Sequence, residues 1–343
     1  MTGGGTAGHV VPNFAVIEEL RKDGEHKFLY IGSRGGVEEK MAKDAGLDYR
    51  GVACGKFRRY FSFRNFLDFF KVPIGFFQAR GILKKFHTDV LFSKGGFVGV
   101  PVVLAAASLK IPIVIHESDF VPGLANKIAA RFAKKICVSF EESKKYFKKF
   151  SEKIVVTGNP VRVEVGEGKK EKALLFTGLS GTKPVILVVG GSQGAAQINN
   201  LVWNSLGDLL KTFEIVHICG RGKMNKSITA KGYAQYEYLS EEIADVYALS
   251  DLIISRGGAN SLAEIAFLEK KALIIPLGKD ASRGDQIKNA EVFAKRCGWE
   301  VLDSSAGKGE FLKGVEEAYN SPGDKCKSDV NGAERIAEII FNH

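Results

Sequence analysis

The sequence predicts an α/β protein built as two doubly wound, Rossmann-like domains facing a cleft. Three observations predict it. Short β-branched runs alternate with longer amphipathic stretches along the chain, as in parallel sheets covered by helices on both faces. The alternation stops at a polar, glycine-bearing stretch, residues 158–172, and restarts at Val185. The 343 residues also amount to about two domains at roughly 100–200 residues each. In such sheets ligands sit beyond the carboxyl ends of the strands, so two domains bring two sets of loops to one cleft.

In the first half, residues 27–31, 90–93, 113–116, 135–138 and 154–157 read as strands. In the second, residues 185–189, 214–219, 251–255 and 272–276 do. Residues 141–150 and 260–267 read as helices between strands, and 332–341 as a closing helix. The domains are placed at 1–157 and 158–330. No stretch reaches the roughly 20 apolar residues of a bilayer-spanning helix; the longest, residues 100–115, is broken by Lys110 and Pro112. The opening residues lack the basic and apolar run of a signal peptide. Cys54, Cys137, Cys219, Cys297 and Cys326 are scattered and never in CxxC spacing. Neither a disulfide framework nor a zinc site is therefore expected, and a reducing cytoplasm fits.

The net charge of +10 belongs to one half. Residues 1–157 carry 26 Lys and Arg against 15 Asp and Glu, whereas residues 158–343 carry 23 against 24. The first half thus expects an anionic partner: a membrane leaflet, a phosphorylated lipid or a nucleic acid. Its segment 57–86 holds nine Phe and one Tyr among seven Lys and Arg. Phe66, Phe69 and Phe70 share a helical face, and Phe57, Arg58, Arg59 and Lys71 flank them. Such a segment suits an interfacial membrane patch. It also resembles a platform for single-stranded nucleic acid, or a core whose charges are solvated.

Four loops carry the chemistry. The first is Gly3-Gly4-Gly5-Thr6-Ala7-Gly8-His9, where glycines let the backbone approach a phosphate or sugar and a helix follows. Gly3, Gly5 and Gly8 have dinucleotide spacing, but residues 28–31 are followed by Gly32-Ser33-Arg34, with no acid to hold a ribose. His9, near a helix start that disfavours imidazolium, is a candidate general base, or a histidine bonding a loop carbonyl. The second loop, Gly190-Gly191-Ser192-Gln193-Gly194-Ala195, offers amides and a hydroxyl to an anion but lacks the P-loop Lys. In the third, Arg256 precedes Gly257-Gly258 at a helix start, and Glu264 lies two turns on, suited to ribose hydroxyls or simply solvated. In the fourth, Asp285 and Gln286 could read sugar hydroxyls, or Asp285 could cap its helix.

Together these loops resemble those of the MurG family, the two-domain lipid I N-acetylglucosaminyltransferases of bacterial peptidoglycan synthesis. The matching segments are GGGTAGH (3–9), FSKGGFVGVP (92–101), HESDFVPGLANK (116–127), GNPVR (158–162), GGSQGA (190–195), the loop 256–264 and SRGDQIKNA (282–290), in the family's order. The form is similar to that of low-GC Gram-positive bacteria. The resemblance implies a GT-B fold and an inverting transfer of N-acetylglucosamine from UDP-N-acetylglucosamine to the C4 hydroxyl of undecaprenyl-pyrophosphoryl-N-acetylmuramyl-pentapeptide (lipid I). The product is lipid II, which serves cell-wall growth, cell shape and division. His9 would be the general base. Thr6, Gly8, Arg162, Ser192, Gln193, Leu239, Arg256, Gly258, Ala259, Asn260, Glu264, Asp285 and Gln286 would hold the donor. Gly5, Thr6, His116, Glu117 and Asn126 would lie on the acceptor side, with the acceptor pyrophosphate at Gly5, Thr6 and Gly8. The family also folds its C-terminal helix, about 331–343, back onto the first domain. No cofactor or metal site is implied, although a divalent cation could assist. The implied partners are UDP-N-acetylglucosamine, lipid I, an anionic membrane surface and other cell-wall synthesis proteins, with no nucleic acid. The implied location is peripheral, on the cytoplasmic face of the cell membrane.

One departure stands out. Met1-Thr2 leads straight into the glycine loop where family members have a first strand. The loop carrying His9 is therefore expected to be anchored on one side only. Competing readings are another GT-B enzyme, such as a lipid glycosyltransferase or the UDP-N-acetylglucosamine 2-epimerase, and a catalytically weakened UDP-sugar-binding protein.

Overall fold

The computed structural model describes residues 1–55, 63–191, 194–278, 284–322, 326 and 332–343, with only the backbone of 63–70. The chain divides into two compact units: Met1–Arg162 with Asp329–His343, and Val163–Ser328. Residues 158–162 stay with the first unit because Gly158 O accepts from His116 Nε2 at 2.9 Å and Asn159 Oδ1 accepts from Ser139 Oγ at 2.9 Å.

Unit 1 begins with the glycine loop, a 3-10 turn (Ala7–His9) and α1 (Val11–Lys22), whose Pro12 fits a first helical turn. There follow β1 (Leu29–Ser33), α2 (Val37–Asp44), β2 (Asp48–Val52), α3 (Phe63–Phe86), β3 (Leu91–Ser93), α4 (Gly99–Ser108), β4 (Ile113–Glu117), α5 (Leu124–Ala129), β5 (Lys135–Val138) and β6 (Ile154–Val156). β1 pairs with β2, and β3 through β6 pair in order, all parallel.

The expected one-sided anchoring is corrected here. Thr2 bridges in parallel to both Ile31 and Ser93 and so joins the two sheets. Its N–H donates to Phe92 O at 2.9 Å, its carbonyl accepts from Lys94 N at 3.0 Å, and its hydroxyl donates to Ile31 O at 2.8 Å. Two residues therefore hold the place of a central strand, and the strand order runs β2-β1-Thr2-β3-β4-β5-β6. That is a doubly wound order, reversing between Thr2 and β3. The C-terminal helix (Gly332–Phe341) packs Ala333, Ile336, Ala337 and Ile340 against Ala15, Val16 and Leu20 of α1.

One local expectation differs. Residues 141–153 form 3-10 turns rather than an α-helix, with Phe147 and Phe150 leaving helical angles. Both rings pack on one core cluster, and the threefold 3-10 repeat puts positions three apart on one side. α3 runs through Pro73. Beyond it Phe76 and Phe86 pack on the core, while Ile74 is 52% exposed and Phe77 70% exposed.

Unit 2 holds α6 (Lys170–Thr177), β7 (Val185–Val189), α7 (Ala196–Thr212), β8 (Glu214–Ile218), β9 (Tyr233–Tyr236), α8 (Ile243–Leu249), β10 (Leu252–Ser255), α9 (Ala259–Phe267), β11 (Lys271–Ile274), α10 (Asp285–Cys297), β12 (Glu300–Val301) and α11 (Lys308–Asn320). Its parallel sheet runs β12-β11-β10-β7-β8-β9. Here too the order reverses between the first strand and the fourth, β7 and β10. The core is aliphatic, with Ile186, Val188, Ile215, Leu252, Ile254 and Leu273 closed over by Val202, Leu206, Phe311 and Val315. The expectation of no disulfide is corrected: Cys297, the last residue of α10, is bonded to Cys326, their Cα atoms 4.1 Å apart. The two lie 29 residues apart, a separation that no short-spacing motif captures.

Candidate active site

In unit 1 the loop 3–9 leaves the switch point of the sheet, where ligands of doubly wound folds bind. Three buried side chains tie it down. Tyr30 Oη donates to Gly3 O at 2.8 Å, and Asn13 Nδ2 donates to His9 O at 3.2 Å and to Tyr30 Oη at 2.8 Å. Glu38, in the first turn of α2, takes the third position. Its Oε2 accepts from Gly5 N at 3.3 Å, and its Oε1 from Ser33 N at 2.9 Å and Ser33 Oγ at 2.5 Å. A Cβ on Gly4 or Gly36 would lie 2.6 Å from Glu38 Cδ, so these glycines make room for the carboxyl group. Gly5 itself has φ +90°, which turns its N–H inward.

The sequence reading missed Glu38, Tyr30 and Asn13. The acid it sought directly after residues 28–31 sits five positions beyond Ser33, and it binds the glycine loop rather than standing open to a ribose. The signal for it was Gly32 and Gly36, six and two positions before it.

His9 closes the 3-10 turn and is half-buried. Its Nδ1 lies 2.9 Å from Thr6 Oγ1, a hydroxyl contact that orients the ring. In the tautomer whose Nδ1–H donates to Thr6, Nε2 carries the lone pair. Thr6 and Gly8 are exposed beside it.

Across the switch point stands the turn Lys94-Gly95-Gly96. Gly96 has φ +77°, and any side chain there would strike Gly4 O. Behind this turn lie His116, Glu117 and Asn126, all buried. Glu117 accepts from Asp119 N at 3.0 Å, Gly123 N at 2.9 Å and Asn126 Nδ2 at 3.0 Å, so it ties up its own loop. Burial holds the His116 imidazole far below the usual histidine range, with the Lys94 charge adding to the effect. His116 is neutral at physiological pH and acts as a brace to Gly158 O. His116 Nδ1 and Asn126 Oδ1 have no hydrogen-bond partner among the described residues.

In unit 2 the loops after β7 and β10 again flank the switch point. Ser192 and Gln193 lie outside the described residues; Gly191 and Gly194 bound them. Arg256 follows β10, and its Nε donates to Gln286 Oε1 at 3.4 Å, which also accepts from Leu277 N at 3.2 Å. Asn289 Nδ2 donates to Gly257 O at 3.1 Å, locking the third loop to α10. Burial lowers the pKa of Arg256 from its ordinary value and the nearby Asp285 opposes this. Gly258 is the N-cap of α9, so Ala259 and Asn260 present its first turn. Glu264 is half-buried and its Oε2 accepts from Tyr247 Oη at 3.4 Å, not the wholly solvated alternative. Asp285 does not cap α10: Gly284 is the N-cap and Asp285 the first helical residue, its Oδ1 buried without a hydrogen-bond partner among the described residues. The structure thus brings Arg256, Asp285 and Gln286 together. Leu239 is buried after β9, beside the exposed Tyr238 that stacks under Arg221 at 5.5 Å. Arg162 is half-buried at the end of unit 1. Of the aromatic basic segment, Phe57, Arg58 and Arg59 lie outside the described residues, as do the side chains of Phe66, Phe69 and Phe70.

The N-terminal domain of glycosyltransferase family 28 matches residues 1–138, and the C-terminal domain of that family matches residues 185–338. A relative from Lachnospira eligens is 48% identical over 322 residues, covering 93% of this chain and 90% of its own. One from Clostridium botulinum strain Langeland is 46% identical over 349 residues, covering 99% and 97%. Both are named UDP-N-acetylglucosamine--N-acetylmuramyl-(pentapeptide) pyrophosphoryl-undecaprenol N-acetylglucosamine transferase. The chain belongs to the MurG family of glycosyltransferases. MurG of Acinetobacter baumannii superposes with a TM-score of 0.72 at 23% identity, covering 100% of this chain and 98% of its own. The UDP-GlcNAc 2-epimerase of Methanocaldococcus jannaschii gives 0.67 at 14% identity, covering 98% and 97%. Both likenesses are of fold, and they place this MurG-family chain in the GT-B class of two Rossmann-like domains.

Proposed function

We infer that the chain transfers N-acetylglucosamine from UDP-N-acetylglucosamine to the C4 hydroxyl of undecaprenyl-pyrophosphoryl-N-acetylmuramyl-pentapeptide, with inversion. The carrying observation is the 48% identity to a transferase of that name over nearly the whole of both chains. Unit 1 takes the acceptor and unit 2 the donor. His9 Nε2 accepts the C4 hydroxyl proton as the oxygen attacks the anomeric carbon. The bond to UDP breaks, and UDP leaves with the electron pair. Its growing charge meets the first-turn amides of α9, Ser192, Gln193 and Arg256, fixed donors that need no rearrangement during reaction. Glu264, oriented by Tyr247, accepts from the ribose hydroxyls. Leu239 borders the uracil, Asp285 and Gln286 read the sugar hydroxyls, and Thr6, Gly8 and Arg162 complete the donor contacts. Asn126, His116 and Glu117 shape the acceptor side. The reading requires no resident metal.

The test is UDP release by the purified chain given UDP-N-acetylglucosamine, with and without a soluble lipid I analogue. Release that depends on the acceptor is expected. Release without acceptor, or conversion of UDP-N-acetylglucosamine to its 2-epimer, would replace the reading with the epimerase one.

Membrane association belongs to the same proposal. No helix among the described residues is long and apolar enough to cross a bilayer. Exposed Ile74 and Phe77 stand on α3 beside the exposed Lys71. Each basic residue near an anionic surface contributes about 1 kcal/mol. Replacing Arg58, Arg59 and Lys71 together by Glu should therefore lower co-sedimentation with anionic vesicles by about tenfold or more. Unchanged sedimentation would put these charges away from the membrane.

A further inference from the structure

The two units carry a cation followed by two glycines at the same place, with positive φ at Gly95 and Gly96 but not at Gly257 and Gly258. Ser93-Lys94-Gly95-Gly96 leaves β3, which lies beside Thr2 across the switch point of unit 1. Ser255-Arg256-Gly257-Gly258 leaves β10, which lies beside β7 across the switch point of unit 2. Each fold thus puts a cation, followed by two glycines, directly opposite a glycine-rich loop. In unit 2 that cation is the donor-side Arg256. Its unit 1 counterpart has no assigned role.

Lys94 is an unusual lysine. Its side chain is only 2% exposed, and among the described residues its ammonium donates to a single acceptor, Ser118 Oγ. It forms no ion pair among the described residues. The nearby carboxylate of Glu117 is spent on Asp119 N, Gly123 N and Asn126 Nδ2. An ammonium has three N–H donors, so two are unspent. Burying such a group is costly unless an anion compensates it, and Glu117 and Asp119 do so here only through space. Burial pushes its pKa down to about 8, with Glu117 and Asp119 opposing. The turn is built against the glycine loop: a Cβ on Gly3 would lie 3.1 Å from Lys94 Cβ, and Lys94 N donates to Thr2 O. Gly5 has already committed its N–H to Glu38, so this loop lacks one of the amides an anion would otherwise use.

We propose that Lys94 is the cation with which unit 1 recognises the diphosphate of its acceptor. This rests on the assignment of the acceptor to unit 1. The ammonium is stripped of water when the protein folds, so a phosphate meets a charge whose desolvation is already complete. A buried charge-assisted bond of this kind discriminates more strongly than an exposed one.

The test compares Lys94→Met and Lys94→Gln with the parent chain, measuring transfer against a soluble acceptor analogue that carries the diphosphate. The acceptor KM should rise about tenfold or more while the UDP-N-acetylglucosamine KM stays within about twofold. Lys94→Arg should recover part of the loss. Ser118→Ala separates charge from packing. It removes the one bond the ammonium makes and should leave the acceptor KM within about threefold of the parent. If Ser118→Ala instead reproduced the Lys94→Met effect, Lys94 would be only a brace for Ser118. If neither KM moved in Lys94→Met, the role of Lys94 would be overturned while the proposed function stood. If the donor KM alone rose, the assignment of the acceptor to unit 1 would fail as well. Should Lys94→Met not melt cooperatively, Lys94→Gln, which keeps a donor for Ser118, is read the same way.

Discussion

Replacing His9 by Ala should lower kcat for acceptor-dependent UDP release by about 10²–10⁴-fold, the usual contribution of a positioned general base. UDP affinity should stay within about twofold, because the uridine and diphosphate contacts assigned to unit 2 are untouched. Stability should hardly change, since His9 is half-buried and its ring is bonded to the exposed Thr6. Thr6→Val is the companion variant. It leaves His9 in place but removes the hydroxyl that sets ring and tautomer, so kcat should fall, with a rise in KM for whichever substrate Thr6 also touches. Titration calorimetry with UDP and steady-state kinetics check both. A His9→Ala chain that no longer bound UDP would give His9 a different role.

The second large effect is expected at Glu38. Glu38→Ala leaves Gly5 N, Ser33 N and Ser33 Oγ, all half-buried, without the fully buried carboxylate that accepts from them. An unsatisfied buried donor costs about 1–3 kcal/mol, and some of these will recover a water, so a loss of about 3 kcal/mol follows. At about 2–4 °C per kcal/mol, the unfolding midpoint of unit 1 should drop by about 6–12 °C. Glu38→Gln is gentler on packing but turns an amide N–H₂ toward a backbone N–H, and should release the glycine loop selectively. Thermal unfolding followed by hydrogen exchange at residues 3–9 measures both effects. A midpoint within about 1 °C of the parent for Glu38→Ala would mean that water replaces the carboxylate completely.

Much of this arrangement was legible in the sequence because it depends on local chemistry. Uninterrupted apolar runs such as Val185–Val189 mark strands buried on both faces, and the glycine turns at 190–194 and 257–258 each follow one. β2, β9 and β12 were not read. Asp-Tyr-Arg-Gly-Val and Tyr-Ala-Gln-Tyr mix polar and apolar residues, and β12 has two residues, so none carries a periodic signal. First-strand anchoring was misjudged because run length measures a strand from its own residues. Thr2 takes its stability from partners on both sides. Among the candidate site residues, His9, Arg256, Glu264 and Gln286 were named from motif positions, and the structure brings Arg256 and Gln286 into contact. Glu38, Tyr30 and Asn13 were not, because each acts through a contact made only after folding. The bond between Cys297 and Cys326 was hidden for the same reason.

The last ten-residue helix completes the first unit, and this sets an order of events during synthesis. The chain emerges from the ribosome N-terminus first, and domains generally fold as units as they emerge. Unit 2 is contiguous, Val163–Ser328, and its whole core is available once those residues have been made. Unit 1 starts earlier yet closes later. Ala15, Val16 and Leu20 of α1 await Ile336 and Ile340, more than 300 residues downstream. Until residues 332–341 have been made, this face of α1 stays uncovered. The transferase therefore cannot complete its first unit before the residues of the second have been made.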